Sequence, residues 1–437
     1  MWMLIACTAG PAKESETGGE IPVQIENVEV TLTPTKSAAV ELRWTTSEPT
    51  RGWVEYGETE ELGRKSPMET EARTDHSLLL VGIPYGQSWQ LRAAWEGEDG
   101  VLASETLSYQ PPPREMTGTP TLENGSADEA GFFLVPQRDG ALITDRGGQV
   151  VWEHSDSFTT LEHSQIRVVD GVVYRMIFDR TDSGLDRLIG VDLGGNLVEE
   201  LVLPGAHHDF VFRNGDLYYL GRDTREGPDG KQWVGDNLIR RSPDGTETPI
   251  WSTWDIALNT APQDDGFYEA GLDVAHVNGL SWNEERQLFL ISSKIQKCVW
   301  AIDDQGNALW SVGDSPGAMK LTDGNWVGTP HGPLLVGNLL YLFDNDPIEG
   351  RSSRGVAYSL DFDASNYAEA WSYSDGRTRN NVLGNTEPSS DGKTFVFYGR
   401  AGGITEVDAD GTAQWTLSTP PSGYMHAVDD LGGPLPE

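Results

Sequence analysis

Histidine returns at one phase of a six-fold repeat in this 437-residue chain. Imidazole is the side chain best suited to nucleophilic and proton-transfer work near neutral pH. His163, the pair His207 and His208, His276, His331 and His426 each stand at or just before an apolar run, and Asn385 and Glu387 hold that place in the remaining unit. A lone histidine at a strand end is an ordinary capped or satisfied residue. Repetition at one phase implies convergence, provided the apolar runs lie side by side. Two chemistries then follow. Converging imidazoles can ligate a metal, with Asp209 or the run Asp344-Asn345-Asp346 as oxygen ligands, although the same acids also read as turn and strand-end residues. No HExxH and no paired cysteines accompany them, so no metal is expected. Alternatively, a neutral imidazole, with an ordinary pKa near 6.5, attacks an electrophile while its neighbours bind an anionic group. That second chemistry needs no cofactor.

The elements that must position these residues are set by a second repeat, Asp-x-x-Gly-x-x-x-Trp. Asp145-Gly148-Trp152, Asp303-Gly306-Trp310 and Asp408-Gly411-Trp415 fit it fully; Asp192-Gly195-Glu199 keeps the turn alone; looser copies end at Trp251 and Trp371. A spacing of about 45 to 60 residues is that of propeller blades or solenoid units. Each Asp-x-x-Gly turn is read as joining the third and fourth strands of a blade. Each run after a histidine is the first strand of the next blade, lining a central channel, followed by a hairpin such as Asp170-Gly171, Asn214-Gly215, Gly337-Asn338 or Asp391-Gly392. The first blade, residues 132–135, 141–144 and 149–153, lacks an inner strand. The segment Tyr424-Met425-His426-Ala427 is a strand without a blade. Pairing the two closes the ring and removes both sheet edges. The expectation is all-β: a six-bladed β-propeller over residues 113–437, preceded by a small β-sandwich over 21–112.

Residues 21–112 carry short period-two runs (Val40-Leu42-Trp44, Trp89-Leu91-Ala93-Trp95) separated by Pro34, Gly57, Gly82, Pro84 and Gly86. That is the pattern of a sandwich. The stretch HSLLLVGIPYGQSWQLRAAW resembles the end of a fibronectin type III domain, and Pro111-Pro112-Pro113 makes a stiff boundary. This domain reads as a spacer or docking module. Residues 1–20 form a separate segment. Leu4-Ile5-Ala6-Cys7 resembles the bacterial lipobox, which makes Cys7 a lipidation candidate and residues 8–20 its tether. The apolar stretch is shorter than a full signal peptide. Localisation in the bacterial cell envelope, periplasmic or at the surface, follows from that reading, with the lipid anchor as the one membrane contact. Cys298 sits in an apolar strand and reads as a buried small hydrophobe. A formal net charge of -37 argues against nucleic acid as partner, and any anion site must carry its own positive potential.

At its histidine blocks the chain resembles the bacterial aryl-sulfate sulfotransferase family. The block DVAHVNGLSWNEERQLFLISSKIQKCVWAIDDQGNALWSVGD carries the resemblance most strongly. HHDFVFRNGDLYYL, HGPLLVGNLLYLFDND and FVFYGRAGGITEVDADGTAQWTL resemble other family blocks, in the right order and over essentially the whole propeller. The resemblance implies a nucleotide-independent transfer of a sulfuryl group from a phenolic sulfate ester to a phenol, by a ping-pong path through a sulfohistidine and without a cofactor. It gives His331 the nucleophile's place and makes His208, His276 and Asn278 surrounding donors. Lys294 stands where the family has arginine; it keeps the charge but loses the bidentate fork. Arg400 is a candidate replacement for that guanidinium. Val274 and Gly279 replace the family's Trp and Ser, and Thr329-Pro330 precede His331 in place of Gln. His207, His163, His426, Arg400 and Glu387 are the candidate substrate-binding residues. Small-molecule phenols and aryl sulfates are the expected partners, with a homodimer as a further expectation.

Two other readings share these residues. A hydrolase would pass the sulfuryl group to water from the same intermediate. A non-catalytic propeller would bind a ligand or partner at the channel mouth, since fold does not fix function. A quinoprotein dehydrogenase would want eight blades, a calcium site and vicinal cysteines, which this sequence lacks.

Overall fold

The computed structural model describes residues 24–25, 28–127, 131–156, 162–178, 185–264, 266, 271–345, 352–376, 380 and 382–428. Cys7, the tether and Asp346 lie outside them.

Six sheets form the blades, each with four antiparallel strands running from an inner to an outer one, and three of the six carry a fifth strand. The inner strands are His426–Val428 (blade 1), Glu162–Val169 (blade 2), Ala206–Arg213 (blade 3), Val277–Asn283 (blade 4), Pro330–Val336 (blade 5) and Asn385–Pro388 (blade 6). Those of blades 1 to 6 pack in that order, each against the next. Ring closure is as the sequence implies: Phe132, Phe133 and Leu134 pair with Val428, Ala427 and His426. A second closure was not expected. Thr121–Asn124 adds a fifth strand to the outer edge of blade 6, against Ala413–Ser418. The chain therefore straps blade 6 just before it builds blade 1.

The repeat has a physical explanation in the turns. Oδ1 of Asp145, Asp303 and Asp408 accepts backbone N–H groups two and four residues on, from Gly147 and Gln149, Gln305 and Asn307, and Asp410 and Thr412. This is the turn geometry that aspartate favours. The glycine takes a positive φ, 83° at Gly148 and 85° at Gly306. A Cβ at Gly306 would strike the Ile250 carbonyl of blade 3, so this turn packs tightly on the preceding blade. The tryptophan makes the same joint from the other side. Trp152 Nε1 donates to the Leu193 carbonyl in the blade 2 turn, and Trp415 Nε1 to the Arg146 carbonyl in the blade 1 turn.

Before the propeller, Thr31–Pro34, Val40–Thr50 and Arg73–Leu80 form one sheet, and a six-stranded sheet faces it. Val40, Leu42, Trp44, Leu78 and Leu80 of the first pack on Val54, Trp89, Leu91 and Trp95 of the second, which makes a sandwich. It is seated on the ring: Ser37 Oγ donates to the Leu193 carbonyl at 2.8 Å, and Ala39, Leu79 and Val81 share a core with Ile143, Val151 and Trp152. Cys298 is fully buried, and burial pushes its thiol well above the usual range.

Candidate active site

The histidine phase is a β-bulge. Regular pairing breaks between His163 and Ile166, His207 and Phe210, Val277 and Gly279, and His331 and Leu334. Counting back from the first regularly paired residue, the third position is His163, His207, His276 and His331 in turn. The position just before that residue is Gln165, Asp209, Asn278 or Pro333. Bulges twist a strand and re-aim side chains, here toward the channel mouth. His208 and His276 take positive φ, 55° and 48°. Such backbone costs about 1–3 kcal/mol and persists only where surroundings enforce it. Asp273 does so for His276: its Oδ1 accepts from the His276 N–H at 2.7 Å, and its Oδ2 lies 3.0 Å from Nδ1. Asp209 does so beside His208. Its Oδ1 accepts from Phe210 N–H and from Arg167 Nη2, and its Oδ2 from Leu280 N–H in the next blade. In blade 5 the corresponding residue is Gly332, φ 55°, where a Cβ would lie 2.8 Å from Asn385 Cβ.

Three imidazoles meet. The rings of His208 and His276 lie 5.1 Å apart edge to face, and both act electrostatically on His331 or share its field. Asn278 Nδ2 lies 3.1 Å from His331 Nε2 and 3.4 Å from Nδ1. Ser292 Oγ donates to Asn278 Oδ1 at 2.7 Å, so the amide nitrogen is turned to His331 as donor. Tyr424 donates to the Asn278 carbonyl at 2.7 Å, and its ring lies 6.2 Å from His331. Lys294 is half-buried, its N–H bonded to the His276 carbonyl. Burial lowers the His331 pKa to about 3, assisted by the charges of His276 and Lys294 against the opposing pull of the Thr329 carbonyl and Asn345. Burial likewise pulls His208 well below 6.5, with His207, His276, His331 and Lys294 adding to the effect. His331 is therefore a neutral base with a lone pair, beside fixed N–H donors and a cation.

His208, His276, His331, Asn278 and Lys294 are thus brought together. His207 is not beside them at the surface of the site: its ring has no exposed area and stands behind His208, between it and Asp236. His426 and Glu387 meet across the blade 1 to blade 6 joint, with His426 Nδ1 2.5 Å from Glu387 Oε1 and Nε2 2.5 Å from Gln165 Oε1. Asn385 Nδ2 donates to the same Glu387 oxygen. The His163 side chain lies outside what is described. Arg400 is exposed on the turn after Thr394–Phe397, and among the described residues no hydrogen bond or ion pair joins it to the three imidazoles. Asp344 is engaged by Arg354 and by the Gly328 N–H. Among the described residues no three His, Cys, Asp or Glu side chains are grouped as a metal ion would need. Asp236, Asp273, Ser292, Tyr424 and Gln165 were not legible as site residues in the sequence. Asp273 alone left a signal, at three residues before a phased histidine.

Residues 123–422 match the family model for Arylsulfotransferase (ASST). No curated protein matches the sequence. Among solved structures the chain is similar to a functionally unknown protein from Desulfotomaculum acetoxidans, at 10% identity and TM-score 0.41, over 77% of this chain and 95% of that one. It is also similar to a periplasmic gluconolactonase of Pseudomonas aeruginosa, at 13% identity and TM-score 0.39, over 87% and 99%. BamB from Moraxella catarrhalis is a third, at 12% identity and TM-score 0.35, over 66% and 88%.

Proposed function

This chain belongs to the arylsulfotransferase (ASST) family, and on that premise we propose that it moves a sulfuryl group from a phenolic sulfate ester to a phenol through a sulfohistidine on His331. The observation that carries the reading is the neutral, buried His331 with Asn278 Nδ2 at 3.1 Å. In the first half-reaction the His331 lone pair attacks sulfur. An N–S bond forms, the S–O bond to the aryl oxygen breaks, and the electron pair leaves with that oxygen. In the second half, an acceptor phenol oxygen attacks the same sulfur and loses its proton, and the N–S electron pair returns to His331. Asn278 and His276 stand where sulfuryl oxygens need donors, and Lys294 supplies positive charge in a protein of net charge -37. His426 and Glu387 are assigned to the wall that orients the phenol.

Attachment to the cell envelope through lipidated Cys7 is part of the same proposal. Labelling with a fatty-acid probe should be lost in Cys7→Ser, and equal labelling of that variant would remove the anchor.

The activity is tested by incubating the protein with 4-nitrophenyl sulfate, with and without phenol, beside His331→Ala. Phenol-dependent nitrophenolate release that the substitution abolishes is the expected result. Release that ignores phenol but needs His331 would make the protein a sulfatase. Release unaffected by the substitution would remove His331 from the chemistry.

A further inference from the structure

Blades 3, 4 and 5 supply the three imidazoles. Across the ring, blades 6, 1 and 2 bring Glu387, His426 and Gln165 together through hydrogen bonds. Ile166 N–H donates to Gln165 Oε1 at 3.0 Å, which marks that atom as the amide oxygen. His426 Nε2 lies 2.5 Å from it and must be the donor, so Nε2 carries a proton. His426 Nδ1 lies 2.5 Å from Glu387 Oε1. A neutral imidazole protonated at Nε2 offers only a lone pair at Nδ1, and a carboxylate offers only lone pairs. The contact therefore holds a second proton, shared between Nδ1 and Oε1. Asn385 Nδ2 donates to the same oxygen at 2.7 Å and Ala427 N–H to Oε2 at 3.2 Å, which fixes the carboxyl group. The pair is accessible, with 16% of the His426 and 21% of the Glu387 side chain exposed. It stands near the nucleophile. Asn385 backs directly on Gly332, the residue after His331, and Tyr424, two residues before His426, has its ring 6.2 Å from the His331 ring.

On the reading of the site above, we infer that the Glu387–His426 pair is the proton store of the reaction and extends the donor class to unactivated aryl sulfates, esters of phenols too basic to leave as phenolate. His331 attacks sulfur, the N–S bond forms, and the S–O bond breaks toward the aryl oxygen. The shared proton moves onto the Glu387 carboxyl and from it to that oxygen, so the product departs as a phenol. Glu387 is left as carboxylate and His426 is neutral, with its proton on Nε2 and a lone pair at Nδ1. Lone pairs then face each other across the contact. The pair takes a proton back from the acceptor phenol as the acceptor oxygen bonds to sulfur and the N–S electrons return to His331. One proton is lent and one returned, with no outside acid. Glu387 is the catalytic residue. His426 and Gln165 are positioning residues: the first holds the proton, and the second fixes which nitrogen faces the carboxyl.

Glu387→Gln tests this with two donors. The variant keeps the size and an acceptor oxygen but cannot carry the proton. Single-turnover release is compared for phenyl sulfate, whose phenol has a pKa of about 10 and needs a proton to leave, and for 4-nitrophenyl sulfate, whose phenolate leaves without one. The ratio of the first rate to the second should fall on the order of 10²- to 10⁴-fold from the parent, the usual worth of a proton-transfer group. A Glu387 that only shapes the wall would slow both donors alike, and an unchanged ratio overturns the proposal. His426→Gln removes the other holder of the proton. It should lower the ratio in the same direction, and it guards against a folding defect in the first variant. The proton itself is read without any donor present. Nitrogen-15 NMR of histidine-labelled protein, with His426→Gln assigning the signals, should show His426 Nδ1 engaged by a proton in the parent and bare in Glu387→Gln. A bare Nδ1 in the parent would overturn the shared proton. The spectrum needs no sulfuryl transfer, so failure of the pair is separable from failure of the transferase.

Discussion

Asn278 and His331 come from adjacent inner strands and meet with the amide nitrogen 3.1 Å from Nε2. The amide is held the right way round by Ser292 Oγ, 2.7 Å from Asn278 Oδ1. An amide donor pointed at an imidazole nitrogen keeps that nitrogen unprotonated. Asn278→Asp puts an acceptor and a negative charge there, which stabilises the imidazolium and removes the nucleophile. Nitrophenolate release should fall on the order of 10²- to 10³-fold, as for loss of a preorganised donor. Asn278→Ala should fall less, and Ser292→Ala, which frees the amide to turn, by about tenfold. Rates in the order Ala below Asp would mean that the donor, not the charge, decides.

A second consequence concerns pH. The His331 pKa is lowered from 6.5 to about 3, chiefly by burial. Between those values the unfolded chain binds a proton that the folded one does not. The stabilising term is therefore fully present above pH 6.5 and is lost as pH falls toward 3, a linkage on the order of 5 kcal/mol for this one group. His208, lowered in the same direction, adds to it. Urea denaturation should show falling stability through that window, and His331→Gln should flatten the profile. The same shift keeps His331 neutral under mild acid, so kcat/KM should not decline through the usual histidine range near pH 6.5. A rate limb there that survives His208→Gln would place an ordinary histidine at the nucleophile.

The blades and the closure were legible because turn chemistry and strand period are local: Asp145, Gly148 and Trp152 state their roles within eight residues. The clustering of His208, His276 and His331 was legible because a propeller makes phase equivalent to position. The partners that orient them were not. Asp236 sits mid-strand in blade 3; it comes close to His207 across an intervening strand of the same sheet, and reaches Val277 only through the packing of blade 3 on blade 4. Tyr424 reaches Asn278 across 146 residues of chain. His207 and His208 are neighbours in sequence, yet only the bulge decides which one faces the site. Thr121–Asn124 carried no repeat signal, because an outer strap has no blade of its own.

Lys294 tests how much the site depends on charge alone. It contributes to holding His208 and His331 neutral, and its ammonium is a point charge without a fork. Lys294→Met should weaken donor binding, seen as a rise in KM of about tenfold, while kcat changes less. Lys294→Arg should keep KM within about threefold of the parent and raise kcat if two parallel hydrogen bonds to the sulfuryl group form. An unchanged KM in Lys294→Met would remove the cation from substrate binding.

Ring closure has its own staple. Arg146 in the blade 1 turn donates to Glu406 Oε1 and Oε2 of blade 6 at 3.1 and 2.9 Å, and both side chains are almost fully buried. The guanidinium lies over the Trp415 ring, 4.6 Å from its centroid. Arg146→Ala leaves Glu406 buried with only Lys393 at 3.4 Å, and should cost about 3–5 kcal/mol. Replacing both Arg146 and Glu406 by Met should recover most of that loss, because no uncompensated charge remains. Deletion from Tyr424 onward removes the inner strand of blade 1 and should lower the melting temperature sharply. Melting curves of the single, double and truncated proteins decide it. A double variant as unstable as Arg146→Ala would assign the joint to shape rather than charge, and a truncated protein that melts like the parent would place closure in the Thr121–Asn124 strap alone.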